Sequence, residues 1–265
     1  MMKILIAYDG SPDAEIALAK LERAGLPSKA EAVIISVMEP WNKTPLSDSV
    51  EKAVGTLQQS FPHWKIRAEH RRGTPSREVL LFAHEWHPDL IVVGSQGLSR
   101  RPDLAIGSVS QQILTAAAAS VHVAKGSVRD STYPVRLLVA VDGSPDSQRG
   151  VQALIQRAWP ESTKVWLVTA VAGGYSAEEL EEERRQAMAL HEGIAQQLQE
   201  AGLAHSSIID EGDPRSIILS AAETWEVDCI FMGARGLTPY ARTLLGSISA
   251  SVAARSRCSI EVVRS

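Results

Sequence analysis

Short, predominantly apolar runs recur along the chain, separated by longer polar stretches. In the first half they are Ile4–Tyr8, Val33–Val37, Leu90–Val93 and Val121–Ala124. In the second half they are Leu137–Val141, Val165–Ala170, Cys229–Met232 and Ser259–Val263. Continuous apolar runs of this length suit strands buried on both faces. Between them lie helix signals. Ser11-Pro12-Asp13 and Ser144-Pro145-Asp146 each offer an N-cap serine, a proline at the first helical position and an acid in the first turn. Thr74-Pro75 and Asp213-Pro214 give the same cap-then-proline signal ahead of helices around Val79–Phe82 and Ile217–Ala222. Further helices are expected over Val109–Ala117 and Ile248–Arg255. Alternating strands and helices predict an α/β fold with a parallel sheet, doubly wound because the crossovers are right-handed.

The two series are one pattern used twice. Ile4-Leu5-Ile6-Ala7-Tyr8-Asp9-Gly10-Ser11-Pro12-Asp13 returns 133 residues later as Leu137-Leu138-Val139-Ala140-Val141-Asp142-Gly143-Ser144-Pro145-Asp146. Ile91-Val92-Val93-Gly94-Ser95-Gln96-Gly97-Leu98 returns 139 residues later as Ile230-Phe231-Met232-Gly233-Ala234-Arg235-Gly236-Leu237. Gly107-Ser108-Val109-Ser110 returns at the same spacing as Gly246-Ser247-Ile248-Ser249. Two long copies mean a duplicated domain rather than a solenoid. The turn-rich stretch from Gly126 to Pro134 sets the boundary, giving domains 1–130 and 131–265. The second copy's extra length falls in an acidic helix. Ser176-Ala177-Glu178-Glu179 is its capping box, and Leu180, Ala187, Ile194 and Leu198 its apolar stripe.

Composition narrows the function classes. The 265 residues are 45% hydrophobic and 22% charged, ordinary values for a globular chain. A formal net charge of -4 and a pI near 6.0 provide no basic field for nucleic acid. Two cysteines, Cys229 and Cys258, exclude a disulfide framework and a four-cysteine zinc site. They read as inert thiols, although their strands are neighbours. Met1–Asp9 is too short an apolar run for a signal peptide, and Ile113–Ala124 falls short of the roughly 20 residues that span a bilayer. A cytoplasmic protein without membrane partners is expected. His84-Glu85-Trp86-His87 lacks zinc-protease spacing and reads as a helix end.

The chemistry sits in a glycine spacing. Gly94 and Gly97 are two residues apart, and the nine residues 98–106 lead to Gly107-Ser108; Gly233, Gly236, residues 237–245 and Gly246-Ser247 repeat this. In a doubly wound sheet ligands bind beyond the carboxyl ends of the strands. Glycines after a strand permit close backbone approach there, and a helix N-terminus offers free amides to an anion. The expected ligand is an adenosine-bearing polyphosphate. Ser108 and Ser247 serve it, or act as plain N-caps. Asp9 and Asp142 face ribose hydroxyls or the adenine amino group, or form Asx-turns with Gly10 and Gly143. Arg235 reaches phosphate or points to solvent, and with Arg100 and Arg101 in one loop and Arg242 in the other the two sites are expected to differ in affinity. Trp41 is the one tryptophan placed near the base. No Gly-Lys pair occurs, so no Walker A loop and no fast phosphoryl transfer are expected.

In these residues the chain resembles the universal stress protein family in its tandem, ATP-binding form, over nearly its whole length. The resemblance implies a Rossmann-like sheet of five strands in the order 3-2-1-4-5 in each copy, and ATP, with Mg accompanying it, across strands 1 and 4. Carried over by residue, the first site is Asp9, Val37, Gly94, Gly97, Gly107, Ser108, Val109 and Ser110. The second is Asp142, Ala170, Gly233, Gly236, Gly246, Ser247, Ile248 and Ser249, with Arg235 added from the reading above. Val37 and Ala170 would offer backbone to adenine. Ala170 is smaller than the family's usual valine, and Pro102 and Asp103 stand where an aromatic is common. The resemblance implies a stress-response sensor or regulator with slow or no hydrolysis. A weak ATPase or nucleotide-dependent transferase, and an interaction module with structural or absent nucleotide, are the alternatives. It also implies that the last strands pair in an intramolecular pseudo-dimer, with a homodimer of tandem chains as a further step. Val121-His122-Val123 and Ile260-Glu261-Val262 alternate, as strands do with one face covered and an open edge.

Overall fold

Proline after a capping residue starts four of the helices, and Pro12, Pro75, Pro145 and Pro214 each occupy the first turn in the computed structural model. The structure describes residues 1–40, 47–98, 106–172, 176–236 and 245–264. It divides into two compact units, Met1–Arg129 and Asp130–Ser265.

The first unit runs β1 (Met2–Ala7), α1 (Pro12–Lys20), β2 (Ala30–Met38), α2 (Ser47–Ser60), β3 (Lys65–Arg72), α3 (Pro75–Trp86), β4 (Leu90–Gly94), α4 (Ser108–Ala116) and β5 (Ser120–Ala124). Its strands lie in the order β3-β2-β1-β4-β5. All are parallel, with Leu5 opposite both Val33 and Ile91, and Ile91 opposite Val121. The second unit repeats this with β6 (Arg136–Ala140), α5 (Pro145–Ile155), β7 (Lys164–Val171), α6 (Ala177–Glu200), β8 (Ala204–Glu211), α7 (Pro214–Thr224), β9 (Cys229–Gly233), α8 (Ser247–Arg255) and β10 (Ser259–Val263). Its order is β8-β7-β6-β9-β10, with Val139 opposite both Leu167 and Phe231. The fold is the expected doubly wound Rossmann-like sheet in two tandem copies.

Both faces of the central strands are dry. Ile4, Ile6, Ile34, Leu90 and Val92 pack with Ala14, Ala17 and Leu18 of α1 and with Val50, Ala53 and Leu57 of α2. The alternate positions Leu5, Val33, Ile35, Ile91 and Val93 are equally buried. Each such aliphatic side chain contributes about 1.5–3 kcal/mol on burial. The third strand of each unit escapes an apolar-run reading: Lys65–Arg72 and Ala204–Glu211 are polar, half-exposed edges. Charged edges of this kind resist pairing with other chains.

Two expectations change. Glu261 of β10 is not on a solvated face; it is 1% exposed and ion-paired with Arg157, just past α5. His122 of β5 is buried as well. The alternation in these strands therefore reflects paired polar groups inside the protein, not one wet face. In α6 the capping box forms as expected, with Ser176 and Glu179 each accepting from the other's backbone N–H. Its buried stripe is Ala187, His191, Ile194 and Leu198, so a histidine joins it while Leu180 is only half-buried.

Candidate nucleotide site in each half

The first and fourth strands of each unit end side by side, and the sequence there turns sharply. After β1 the chain passes through Gly10 at φ 74°, and after β6 through Gly143 at φ 80°, the left-handed region that glycine enters at little cost. One oxygen of Asp9 accepts from the Ser11 N–H at 3.0 Å, and Asp142 accepts from the Ser144 N–H at 3.0 Å. The Asx-turn is thus present in both halves. Ser11 and Ser144 cap their helices by accepting from the N–H groups of Ala14 and Ser147. The second carboxylate oxygen looks across the strands. Asp9 Oδ2 accepts from the Leu98 N–H at 3.1 Å and lies 2.6 Å from where a Cβ on Gly97 would be. Asp142 Oδ2 lies 2.7 Å from the corresponding point on Gly236. The aspartate and the second glycine of each spacing are therefore in contact, and only glycine leaves that carboxylate its place.

The first glycine has a different reason. A Cβ on Gly94 would lie 2.9 Å from the backbone C and O of Asp13. On Gly233 it would lie 2.5 Å from Asp146 C and 2.7 Å from Ser147 N. These glycines let the end of the fourth strand lie against the first turn of α1 or α5. The close approach is to the protein's own backbone. The same turn anchors the loop: Asp13 accepts from the Ser95 hydroxyl at 2.5 Å and the Gln96 N–H at 3.0 Å. Asp146 accepts from the Arg235 N–H at 3.1 Å and Arg235 Nε at 3.2 Å, while Arg149 takes its other oxygen. In the sequence Asp13 and Asp146 look like first-turn acids only. Their return at the same spacing as Asp9 and Asp142 was the available signal.

Gly107 and Gly246 enter α4 and α8. Their N–H groups donate to Ser95 O and Ala234 O, both at 2.7 Å, closing each loop onto its helix. These glycines are themselves the N-caps, without a side-chain cap, so Ser108 and Ser247 are first helical residues rather than caps. The first helical bonds come from the Gln111 and Ala250 N–H groups. That leaves the amides of Ser108, Val109 and Ser110, and of Ser247, Ile248 and Ser249, directed out of the helix end. Ser110 and Ser249 spend their hydroxyls inward, donating to Gly94 O at 2.7 Å and Gly233 O at 2.9 Å. Each cup is thus braced from below and open in amides above, with a positive helix end behind it. A phosphate tail fits that donor set. Among the described residues no cluster of His, Cys, Asp and Glu could hold a metal ion by itself.

Val37 and Ala170 are half-buried near the carboxyl ends of β2 and β7, beside the aspartates' strands. The surroundings differ between halves. In the first, buried Tyr8 donates to Glu15, and burial with that carboxylate raises its pKa. In the second, Val141 takes Tyr8's place, and its carbonyl accepts from Thr169 Oγ1 at 2.7 Å. Thr169 Oγ1 also lies 2.8 Å from His191 Nε2. His191 is 3% exposed, its Nδ1 has no partner among the described residues, and burial pushes its pKa down to about 4. Arg235 is 54% exposed at the side chain and paired with Asp146. Trp41, Arg100, Arg101, Pro102, Asp103 and Arg242 lie outside the described residues. His87 ends α3 as a left-handed cap, exposed like His84. Cys229 is buried and Cys258 half-buried.

Known proteins share this architecture and sequence. Universal stress protein Sll1388 of Synechocystis is 29% identical over 149 residues, covering 49% of this chain and 97% of that protein. Universal stress protein YxiE of Bacillus subtilis is 24% identical over 145 residues, covering 49% of this chain and 98% of that protein. The solved structure of a universal stress protein from Archaeoglobus fulgidus matches 99% of this chain and 98% of its own at a TM-score of 0.71 and 21% identity. No helix among the described residues is long and apolar enough to cross a membrane. The model of the universal stress protein family matches twice, over residues 1–125 and 135–264, and the chain therefore belongs to that family of stress-response proteins, in tandem form.

Proposed function

We propose that each half binds an adenine nucleotide, ATP in the first instance with Mg accompanying it, and that the protein is a cytoplasmic nucleotide-responsive regulator rather than a fast enzyme. The phosphates would lie on the amides of Ser108, Val109 and Ser110 in one half and Ser247, Ile248 and Ser249 in the other. Gly97 and Gly236 keep the loop low enough for the tail to pass. Asp9 and Asp142 would take the ribose hydroxyls or the base amino group, next to the backbone of Val37 and Ala170. The observation that carries this reading is the repetition of the whole cup. The aspartate against the second glycine, the amide bond closing the loop and the serine brace occur in both halves at matching distances.

The residues described at the cup support regulation rather than turnover. The described part offers donors for a phosphate tail, and no described side chain stands out as a base to orient water. Mass spectrometry of what the purified chain carries, combined with melting in the presence of ATP, tests the proposal. At ATP a hundredfold above its dissociation constant, stabilisation of about 2.7 kcal/mol is expected. Protein carrying no adenine absorbance and showing no shift would support an interaction module instead. Linear phosphate release over many turnovers would support an ATPase.

A further inference from the structure

At six aligned positions around the cups, four differ in charge between the halves. Asp13, Ile16, Thr74, Ser76, Gln96 and Lys125 in the first half correspond to Asp146, Arg149, Asp213, Arg215, Arg235 and Arg264 in the second. One carboxylate and one ammonium give way to two carboxylates and four guanidiniums. The arginines are gathered at the cup. Arg235 Cα lies 3.5 Å from the point a Cβ on Gly246 would take, directly beside the entry to α8. Arg215, in the first turn of α7, donates to the Ser247 hydroxyl at 3.5 Å while pairing with Asp213 at 3.2 Å. In the first half Ser76 is buried and bonded to Gln112 instead. Arg77, one residue on, points about 100° round the helix and is exposed.

Asp146 is shared between Arg149 and Arg235, and Arg264 is close enough to feel the charges of Arg235 and Asp146. Burial, and then the charge of Arg235, push Arg264 down to about 10, with Asp146 opposing. Because Arg149 also holds Asp146, Arg235 can turn to an incoming phosphate without leaving that carboxylate bare.

Resting on the nucleotide reading above, we propose that Arg215 and Arg235 make the second site selective for the most highly charged phosphate tail, a nucleoside triphosphate over a monophosphate, whereas the first site discriminates less by phosphate number. Charge-assisted arginine–phosphate bonds are roughly twice as strong as neutral ones, and they act only on a tail long enough to reach them. One chain would then report the ratio of tri- to monophosphate, with one site filled by either and the other by the triphosphate.

Calorimetric titration of the full chain with ATP and with AMP, fitted for two sites, tests this against Arg215→Ser/Arg235→Gln, which installs the first half's own residues. The double substitution should lower the ATP-to-AMP affinity ratio by about tenfold at one site and leave the other unchanged. Arg235→Lys in place of Arg235→Gln keeps the charge and should restore part of the ratio. In the unaltered protein the more selective site should also lose ATP affinity more steeply as salt is raised. Equal ratios and equal salt slopes at the two sites overturn the proposal, as does a double variant with both ratios intact. Absence of binding by either nucleotide overturns the nucleotide reading itself.

Discussion

Replacing Gly233 with alanine should damage the second unit more than any other single-methyl addition to a described glycine. The added carbon would sit 2.5 Å from Asp146 C, 2.7 Å from Asp146 O and 2.7 Å from Ser147 N. All three are backbone atoms of the capped first turn of α5, so no side chain can swing aside. Relief requires β9 and α5 to separate by most of an ångström, and the buried contacts along that seam loosen together. Overpacking of this kind costs about 1–3 kcal/mol. Gly94→Ala, with contacts of 2.9 Å, should cost less in the first unit. Gly193→Ala is the control: it lies inside α6 with nothing within 4 Å of its added carbon, and should stabilise by up to about 1 kcal/mol. Urea unfolding followed by far-ultraviolet circular dichroism measures the differences, each unit being allowed its own transition. A Gly233→Ala protein as stable as the parent would refute the reading that the first glycine serves strand-to-helix packing.

Three further outcomes are expected. His191 is neutral when folded, with its pKa near 4 against about 6.5 unfolded, so its contribution is complete above pH 6.5 and is lost as pH falls toward 4. The loss amounts to about 3 kcal/mol, and His191→Gln should flatten that part of the stability profile; identical profiles would contradict it. Arg157→Leu removes the ion-pair partner of the buried Glu261 carboxylate and should cost about 3–5 kcal/mol, most of which Arg157→Leu/Glu261→Leu recovers, both read by denaturation. Asp9→Ala should weaken ATP at the first site by about 1.5–3 kcal/mol and spare the second, as read by calorimetry; equal loss at both sites would be the wrong answer.

Much of this was legible because strands buried on both faces must be apolar, and four per half stand out. The third strands were legible only through family resemblance. Lys65–Arg72 carries five basic residues because an edge strand needs no apolar face on its open side. The aspartate, the two glycines and the helix entry were legible through repetition. What each glycine does was not, since a strand end touching a helix turn and a strand end touching a ligand call for the same missing Cβ. Asp13 and Asp146 were hidden by a second role, because an acid in a first turn already has a reason to be there. His191 was hidden by an acidic helix whose heptad-like stripe gave no hint that its apolar face meets a threonine on β7.

The central claim is that the helix ends at Ser108 and Ser247 hold nucleotide phosphates. Calorimetric titration of the full chain with ATP addresses it directly, beside Gly107→Val and Gly246→Val, whose added carbons would press on Gln96 Cα at 3.3 Å and Ala234 O at 3.2 Å. Two ATP per chain, falling to one with either substitution and to none with both, is the predicted result. Two ATP retained by the doubly substituted chain, or no heat from the parent, would contradict it.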